Sequence, residues 1–500
     1  MQKPPLPPAG PAAATGGPAV PADTVSARAA RGGGVLLLRH GIGFAVNAGG
    51  GIVLARELGP AVMGLYFAAS MVFTVGRQLV DFCVTPHLIR HPEAQPHYTQ
   101  YLWLQRLLAG AMLVLVLGGV AAGGIARLAP EHATDLAWLL AAAALGAAAF
   151  AWQSVPVADL ERRLAYRRIG WIEVLEPLVF NAVAITLVLA GGSVRALAAA
   201  LLLRGLVPAL AAQHLALLPR GARPSVAQLT RLAGELLPLV GAQATLWAIL
   251  LAPAVLVGKL AGAEELGYSQ LAYSLLGSVG IPAAVFQRVT FAALSRLQAD
   301  AESFERAVRR SLVLLAALYL PLLSLLGGFA PVWVPRVCGA QWTPMAPVLL
   351  LATLPVALAS FLGIVYAAIL AHGENRLVLW QNIAHGIVYW TVLALLARPL
   401  GAVAVPLAHL AALPAGILYY RAFRARHGGV AMPGLWAAVA ATAGLSFGCW
   451  QLVARGHLWM AALVWLAVQA VAIPWTWRRL GLGALLRRTL RGGDLEVPRV

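Results

Sequence analysis

The sequence predicts an all-α polytopic membrane protein of about fourteen transmembrane helices, with two parallel six-helix lobes around a central cavity and two extra C-terminal helices. Three observations carry that expectation. Hydrophobic residues make up 60% of the 500-residue chain and charged ones only 11%, with a mean hydropathy of +0.78. A soluble protein carries about 25% charged residues, so the bilayer must be the solvent here. Apolar runs close to the ~20 residues that cross roughly 30 Å of hydrocarbon recur from end to end. One pattern also occurs twice, 203 positions apart: residues 54–70 and 257–273 align Arg56 with Lys259, Gly59 with Gly262, Met63 with Leu266, Gly64 with Gly267 and Ala69 with Ala272. Each copy closes one apolar run and opens another, as the bend of a membrane hairpin does, and repeated hairpins imply two equivalent halves.

In chain order, residues 1–34 form a Pro/Ala/Gly-rich lead that reads as disordered and carries no cleavable signal-peptide pattern. Apolar runs follow at roughly 35–55, 63–82, 101–123, 136–155, 171–190, 196–216 and 235–257. They continue at roughly 268–287, 311–330, 344–370, 378–397, 401–420, 435–454 and 458–477. The first and seventh runs start from the same side, so the lobes 35–216 and 235–420 are expected to be parallel, related by an axis along the membrane normal. The helix pair 435–477 lies outside the repeat, and 478–500 is a basic tail. No loop is long enough to hold a domain of its own, so any chemistry belongs inside the bundle or at its mouths. Prolines within the runs, such as Pro208, Pro253, Pro321 and Pro355, are tolerable where neighbouring helices re-satisfy the freed carbonyls.

Charge placement sets the orientation. About 26 of the 37 Lys and Arg residues fall on one side, about seven on the other, and Arg39, Arg77, Arg106 and Arg204 lie within runs. The positive-inside rule then puts both termini in the cytoplasm. Trp171, Trp333, Trp436 and Trp459 stand near run ends, where interfacial anchors belong. The net charge of +18 follows from this distribution, and no nucleic-acid partner is expected. Cys83, Cys338 and Cys449 are scattered and odd in number, without disulfide or metal spacing.

Charges inside apolar runs are costly and tend to be functional. Arg39, Arg77, Arg106 and Arg204 together would make the inner mouth of the N-terminal half electropositive, as a phosphate or diphosphate headgroup requires. Two plainer readings stand beside that one. Arg39 is near enough to the interface to snorkel towards lipid phosphates, and Arg77 has Asp81 four residues on as a local charge partner. Arg56 and Lys259 break the positive-inside trend and match in the repeat; they read either as an outer gate or as caps at the negative ends of their helices. Asp81, Glu173, Glu176 and Glu235 all fall near run ends, so no carboxylate is expected at the middle of a span. Asn47, Asn181, Gln243, Gln270, Gln381, Asn382, His385 and His409 are polar groups within runs, suited to gluing helices or to meeting sugar hydroxyls. No phosphate loop, metal-ligand cluster or catalytic triad stands in the sequence, so no catalytic residue, metal or cofactor is expected.

The first hairpin, LARELGPAVMGLY followed by LVDFCVTPHLIRH, resembles that of the polysaccharide-export, or oligosaccharide flippase, family of the multidrug/oligosaccharidyl-lipid/polysaccharide exporter superfamily. The resemblance continues at ELGYSQLAYSL, at VTFAALSRLQAD (residues 289–300) and at CGAQWTPMAPVLLLATL (residues 338–354), and so covers residues 35 to about 420. The family often has glycine after the Asp-Phe pair of the second span, where this chain has Cys83, and a proline common before the Ser-Arg pair of the central loop is missing. The resemblance implies a bacterial inner-membrane protein with a twelve-helix core. It further implies alternating-access transport of an undecaprenyl-diphosphate-linked oligosaccharide, with membrane lipids and a polysaccharide polymerase or export machinery as partners. Against this stand a drug or metabolite antiporter, which calls for an acid in the cavity; a membrane polymerase or glycosyltransferase, which calls for a sizeable outer loop; and a non-transporting scaffold.

Overall fold

The computed structural model describes residues 22–90, 98–123, 130–163, 165–216, 222–279, 290, 294, 300–427 and 433–480, and every regular element among them is helical. The first lobe is built from α1 (Ala22–Asp81), α2 (Val84–Arg90), α3 (Tyr98–Ala121), α4 (Ala133–Ala148), α5 (Ser154–Arg162), α6 (Tyr166–Leu189) and α7 (Val194–Leu215). A 3-10 turn, Ala149–Trp152, joins α4 to α5. The second lobe follows with α8 (Val226–Leu260), α9 (Ala263–Val279), α10 (Ala301–Gly328), α11 (Ala330–Val337), α12 (Met345–Ala371), α13 (Asn375–Leu400) and α14 (Ala404–His427). The appended pair is α15 (Pro433–Ala454) and α16 (Leu458–Leu480).

Ten stretches among the described residues are long and apolar enough to cross a membrane, and two of them, Val46–Asp81 and Arg376–Arg426, each join two of the predicted runs. The 17-residue α9 and the shorter apolar stretch Leu458–Ala472 stand at the eighth and fourteenth runs. The chain is therefore a multi-pass helical membrane protein. One boundary differs from expectation: α1 begins at Ala22, so residues 22–34, read as part of a disordered lead, are helical. The Ala- and Arg-rich stretch 27–31, after the last leader proline, favours a helix.

The repeated glycines do two separate jobs. Gly59 and Gly262 sit at φ 75° and 102°, where a side chain is strained, and nothing lies close to either. They bend the chain. Gly64 and Gly267 lie within helices, and there the demand is for space: a methyl on Gly64 would run into the carbonyl of Ala263, and one on Gly267 into the carbonyl of Pro60. Residues 60 and 263 are themselves a matched pair of the 203-residue repeat. The two hairpins thus cross each other at backbone contact through equivalent residues, and the pseudo-twofold relation between the lobes passes through this crossing.

Pro60 has no N–H, so it leaves the carbonyl of Arg56 without its helical donor. The second lobe supplies the replacements: Gln341 Nε2 donates to the carbonyls of Arg56 (3.1 Å) and Ala55 (3.3 Å), and Trp342 Nε1 donates to that of Ala55 at 2.8 Å. Trp342 is fully buried and meets Tyr268 of α9 edge to face at 5.8 Å. At the second bend the chain caps itself, with the amides of Ala261 and Gly262 both on the carbonyl of Val257. This end of the bundle holds few arginines; the opposite, arginine-rich end carries the segments around 162–168 and 306–310.

Because Gly64→Ala and Gly267→Ala each force open the same crossing, the double variant should lose less than the sum of the two singles, by about 0.5–3 kcal/mol. Gly59→Ala and Gly262→Ala strain separate bends and should add. Thermal unfolding of the detergent-solubilised protein distinguishes the two patterns, and additive losses at Gly64 and Gly267 would rule out a shared contact.

Candidate functional site

Three charged side chains of the first lobe converge inside the bundle. Arg77 of α1 places Nη1 2.6 Å from Glu176 Oε2, while Arg204 of α7 places Nε and Nη2 3.0 and 2.9 Å from Glu176 Oε1. Both carboxylate oxygens are therefore used, and the cluster keeps one net positive charge. Glu176 is the eleventh of the 24 residues of α6 and Arg204 the eleventh of the 22 of α7, so both are mid-helix. Side-chain exposures of 35% for Arg77, 25% for Arg204 and 17% for Glu176 leave the group reachable.

Aromatic rings hold the arginines from behind. The guanidinium of Arg77 lies 4.5 Å from the centre of Phe150, and that of Arg204 lies 4.8 and 5.7 Å from Phe73 and Phe180. Tyr66 stacks on Phe180 at 5.3 Å. A planar, weakly hydrated guanidinium is the cation such faces accept best. Close by on the same helices, Asn181 Nδ2 donates to Asn47 Oδ1 at 3.2 Å, and Gly50 provides the clearance, since a methyl there would overlap Asn181.

The four arginines singled out from the sequence divide three ways. Arg77 and Arg204 share one partner. Arg106 of α3 lies 5.6 Å from the ring of Trp152, two residues beyond Phe150, with its Nε buried and unbonded among the described residues. Arg39 lies in α1, and its side chain is outside the described residues. Two expectations need correction. The direct partner of Arg77 is Glu176 rather than Asp81, whose Oδ1 accepts from Thr85 at 2.7 Å. A carboxylate does lie deep in a span: α6 starts at Tyr166, five residues before its apolar run, which moves Glu176 from near the end to the middle. The run itself held the signal, a charged residue directly before Pro177 and well inside a mostly apolar stretch.

The repeated cations are at the arginine-poor end. Arg56 Nη1 donates to the carbonyl of Arg336 in the last turn of α11, at 3.4 Å, and Lys259 stands in the last turn of α8. Each meets the negative end of a helix, Arg56 that of α11 in the other lobe and Lys259 that of its own helix. Helices α9, α13 and α14 of the second lobe, counterparts of the second arm of α1, α6 and α7, bring together Tyr273, His385, Tyr389 and His409. Tyr273 Oη is 3.2 Å from His409 Nδ1, and the Tyr389 and His409 rings are 4.2 Å apart. Counterpart helices thus carry an ion cluster in one lobe and a histidine–tyrosine cluster in the other. Among the described residues, no His, Cys, Asp and Glu group has the arrangement to hold a metal.

This architecture recurs in solved transporters. The chain is similar to the lipid II flippase MurJ in an inward closed conformation, with a TM-score of 0.69 at 12% identity, covering 89% of this chain and 98% of that one. It is also similar to an inward-facing multidrug-resistance MATE transporter of the MOP superfamily, at a TM-score of 0.56 and 17% identity over 79% and 94% of the two chains. A MOP-superfamily transporter from Pyrococcus furiosus, described by a reversed polarity of its binding pocket, gives a TM-score of 0.52 and 16% identity over 79% and 95%. At these identities the likeness is one of fold, the two-lobe fold of that superfamily. Among curated proteins, none matches the chain by sequence. A family profile described as "Polysaccharide biosynthesis protein" matches residues 53–347, more than half of the chain. The chain belongs to the polysaccharide biosynthesis protein family, with the fold of the MOP-superfamily transporters and flippases.

Proposed function

We propose that this protein is a flippase that carries a lipid-diphosphate-linked oligosaccharide across the bacterial inner membrane by alternating access, with both termini in the cytoplasm. The observation that carries the reading is the convergence of Arg77 and Arg204 on Glu176. A diphosphate cannot enter hydrocarbon bare, because its desolvation must be offset by ion pairs and hydrogen bonds. Two guanidiniums offer paired donors in the geometry that phosphate oxygens accept. Glu176 is an internal anion at the same two cations, so a headgroup with more charge and more acceptor oxygens exchanges for it without leaving either arginine unpaired. Arg106, stacked on Trp152, is the further cation that an arriving diphosphate would meet. Undecaprenyl diphosphate is the carrier that the family membership favours, with a polymerase and export machinery receiving the product.

A drug or metabolite antiporter of the same superfamily is the second reading, and Glu176 is the acid it would use. With two arginines on one carboxylate the surroundings remain positive, which disfavours a cationic cargo.

Charge-assisted hydrogen bonds contribute about 1.5–3 kcal/mol each, roughly 10- to 150-fold in affinity. Arg77→Ala and Arg204→Ala should therefore each lower flipping of the lipid-linked glycan at least tenfold, read as its accumulation in the inner leaflet of cells that express the correctly inserted variant. Normal export by the double variant would overturn the proposal. Glu176→Gln keeps the shape and frees both arginines, so headgroup binding should tighten. Loss of cationic-dye efflux in Glu176→Gln, with glycan export intact, would favour the antiporter instead. Glu176→Ala should also lower stability, by about 3 kcal/mol, because it leaves two neighbouring cations uncompensated.

A further inference from the structure

The ends of α5, α6 and α7 border a second site, apart from the ion cluster and open on one side. They bound a cavity of about 300 Å3 lined by Asp159, Leu160, Arg163, Arg168, His214 and Leu215. Small-molecule sites begin at about that volume. We infer that this cavity binds a phosphate ester, supplied by the headgroup of an anionic bilayer phospholipid.

The balance of charge favours an anion. Asp159 is 2% exposed and already satisfied, with Oδ1 accepting from Tyr98 Oη at 2.9 Å and Oδ2 paired with Arg163 Nη2 at 2.9 Å. Arg168 then remains as an uncompensated cation in the lining. The guanidiniums are also held in place. Arg163 is tethered by Asp159, and Arg168 Nη1 donates to the carbonyl of Leu215 at 3.1 Å. A guanidinium carries five N–H donors, so one tether fixes its direction and leaves the others for phosphate oxygens. Both arginines remain exposed at the mouth of the cavity, each with one tether to the protein, so their free N–H groups can be reached by a headgroup.

Its surroundings point to lipid. Leu160 and Ala216 of the lining belong to an apolar cluster with Ile169, Ile172 and Ala212. Trp171, one turn beyond Arg168, is 62% exposed, as a tryptophan at the headgroup level of a bilayer is. Basic pockets between transmembrane helices at the positive end are where anionic headgroups bind. Occupancy would also have a mechanical effect, since α6 and α7 carry Glu176 and Arg204 and a ligand bridging Arg168 and His214 fixes their spacing at the arginine-rich end.

The test uses the full-length, delipidated protein in detergent, with phosphatidylglycerol, phosphatidylcholine and inorganic phosphate as separate probes. Bound lipid is counted by native mass spectrometry, and the unfolding midpoint is followed in parallel. Phosphatidylglycerol should be retained and should raise the midpoint, while phosphatidylcholine does neither. Arg163→Gln/Arg168→Gln should lose retention at least tenfold, and Arg306→Gln, on the exposed face of α10, should behave as the parent. Arg168→Lys, which keeps the charge but not the fork, should fall between and covers the case in which the double variant does not fold. Equal retention by the parent and the Arg168 variants would overturn the site. Full stabilisation by millimolar phosphate alone would overturn the assignment to lipid. Neither outcome depends on what the ion cluster transports.

Discussion

Two membrane helices reach backbone contact only where neither presents a side chain, and the lobes of this protein meet at such a place. Gly64 and Gly267 face the carbonyls of Ala263 and Pro60, so the clearance between α1 and α9 is smaller than a methyl group. In lipid there is little hydrophobic drive to join helices, and close packing with interhelical hydrogen bonds has to do it. The remaining contacts of this end follow from the crossing. Once the helices are that close, the Arg56 carbonyl freed by Pro60 comes within reach of Gln341, the Ala55 carbonyl within reach of Trp342, and the Arg56 side chain within reach of the end of α11. A wider spacing would leave the Arg56 carbonyl unpaired, next to the fully buried Ala55.

The same crossing explains why the sequence repeat was legible and its purpose was not. Alignment revealed glycine at two matched positions in each hairpin, but only the backbone separates a glycine needed for positive φ from one needed for clearance. Cys83 is a related case. In the sequence it is a departure from a position where the family often has glycine; in the structure Phe82 and Cys83 have φ of 48° and 58°. A residue with a Cβ in that region is strained by about 1–2 kcal/mol, which is the physical reason glycine suits the turn. Cys83 instead packs its buried side chain with Val240 and Trp247 of α8. Most of the VTFAALSRLQAD segment lies outside the described residues, so this stretch of the resemblance has no structural counterpart.

The helix inventory was readable because crossing a bilayer demands length and apolarity, and both are properties of contiguous sequence. Ion pairing is not contiguous. Arg77 and Arg204 stood out as charges in apolar runs, yet their shared partner is 99 residues from one and 28 from the other. Local spacing offered Asp81 in its place, four residues along the same helix. Asp81 bonds Thr85 across the Phe82–Cys83 turn instead, and the Arg77 side chain, resting on Phe150, is directed at α6. A run boundary drawn from hydropathy also missed the polar first turn of α6, which contains Arg167 and Arg168, and so misplaced Glu176 by more than a turn.

Shared backbone and unshared charge together suggest how the halves divide the work. Equivalent helices bury polar groups in both lobes, so the fold keeps a place for chemistry in each. In the first lobe that place holds two arginines and one carboxylate, a fixed positive excess that no neutral substitute reproduces. In the second it holds two histidines and two tyrosines, with the Tyr389 hydroxyl buried and unbonded among the described residues. An anionic headgroup moving between two symmetric lobes would find equal sites and no preferred stop. On the proposed function, an ion cluster in the first lobe, with none at the counterpart helices among the described residues, would give the headgroup one seat, and the symmetric crossing at Gly64 and Gly267 would be the pivot that exposes it to either side. On that proposal, symmetry belongs to the frame and asymmetry to the binding site.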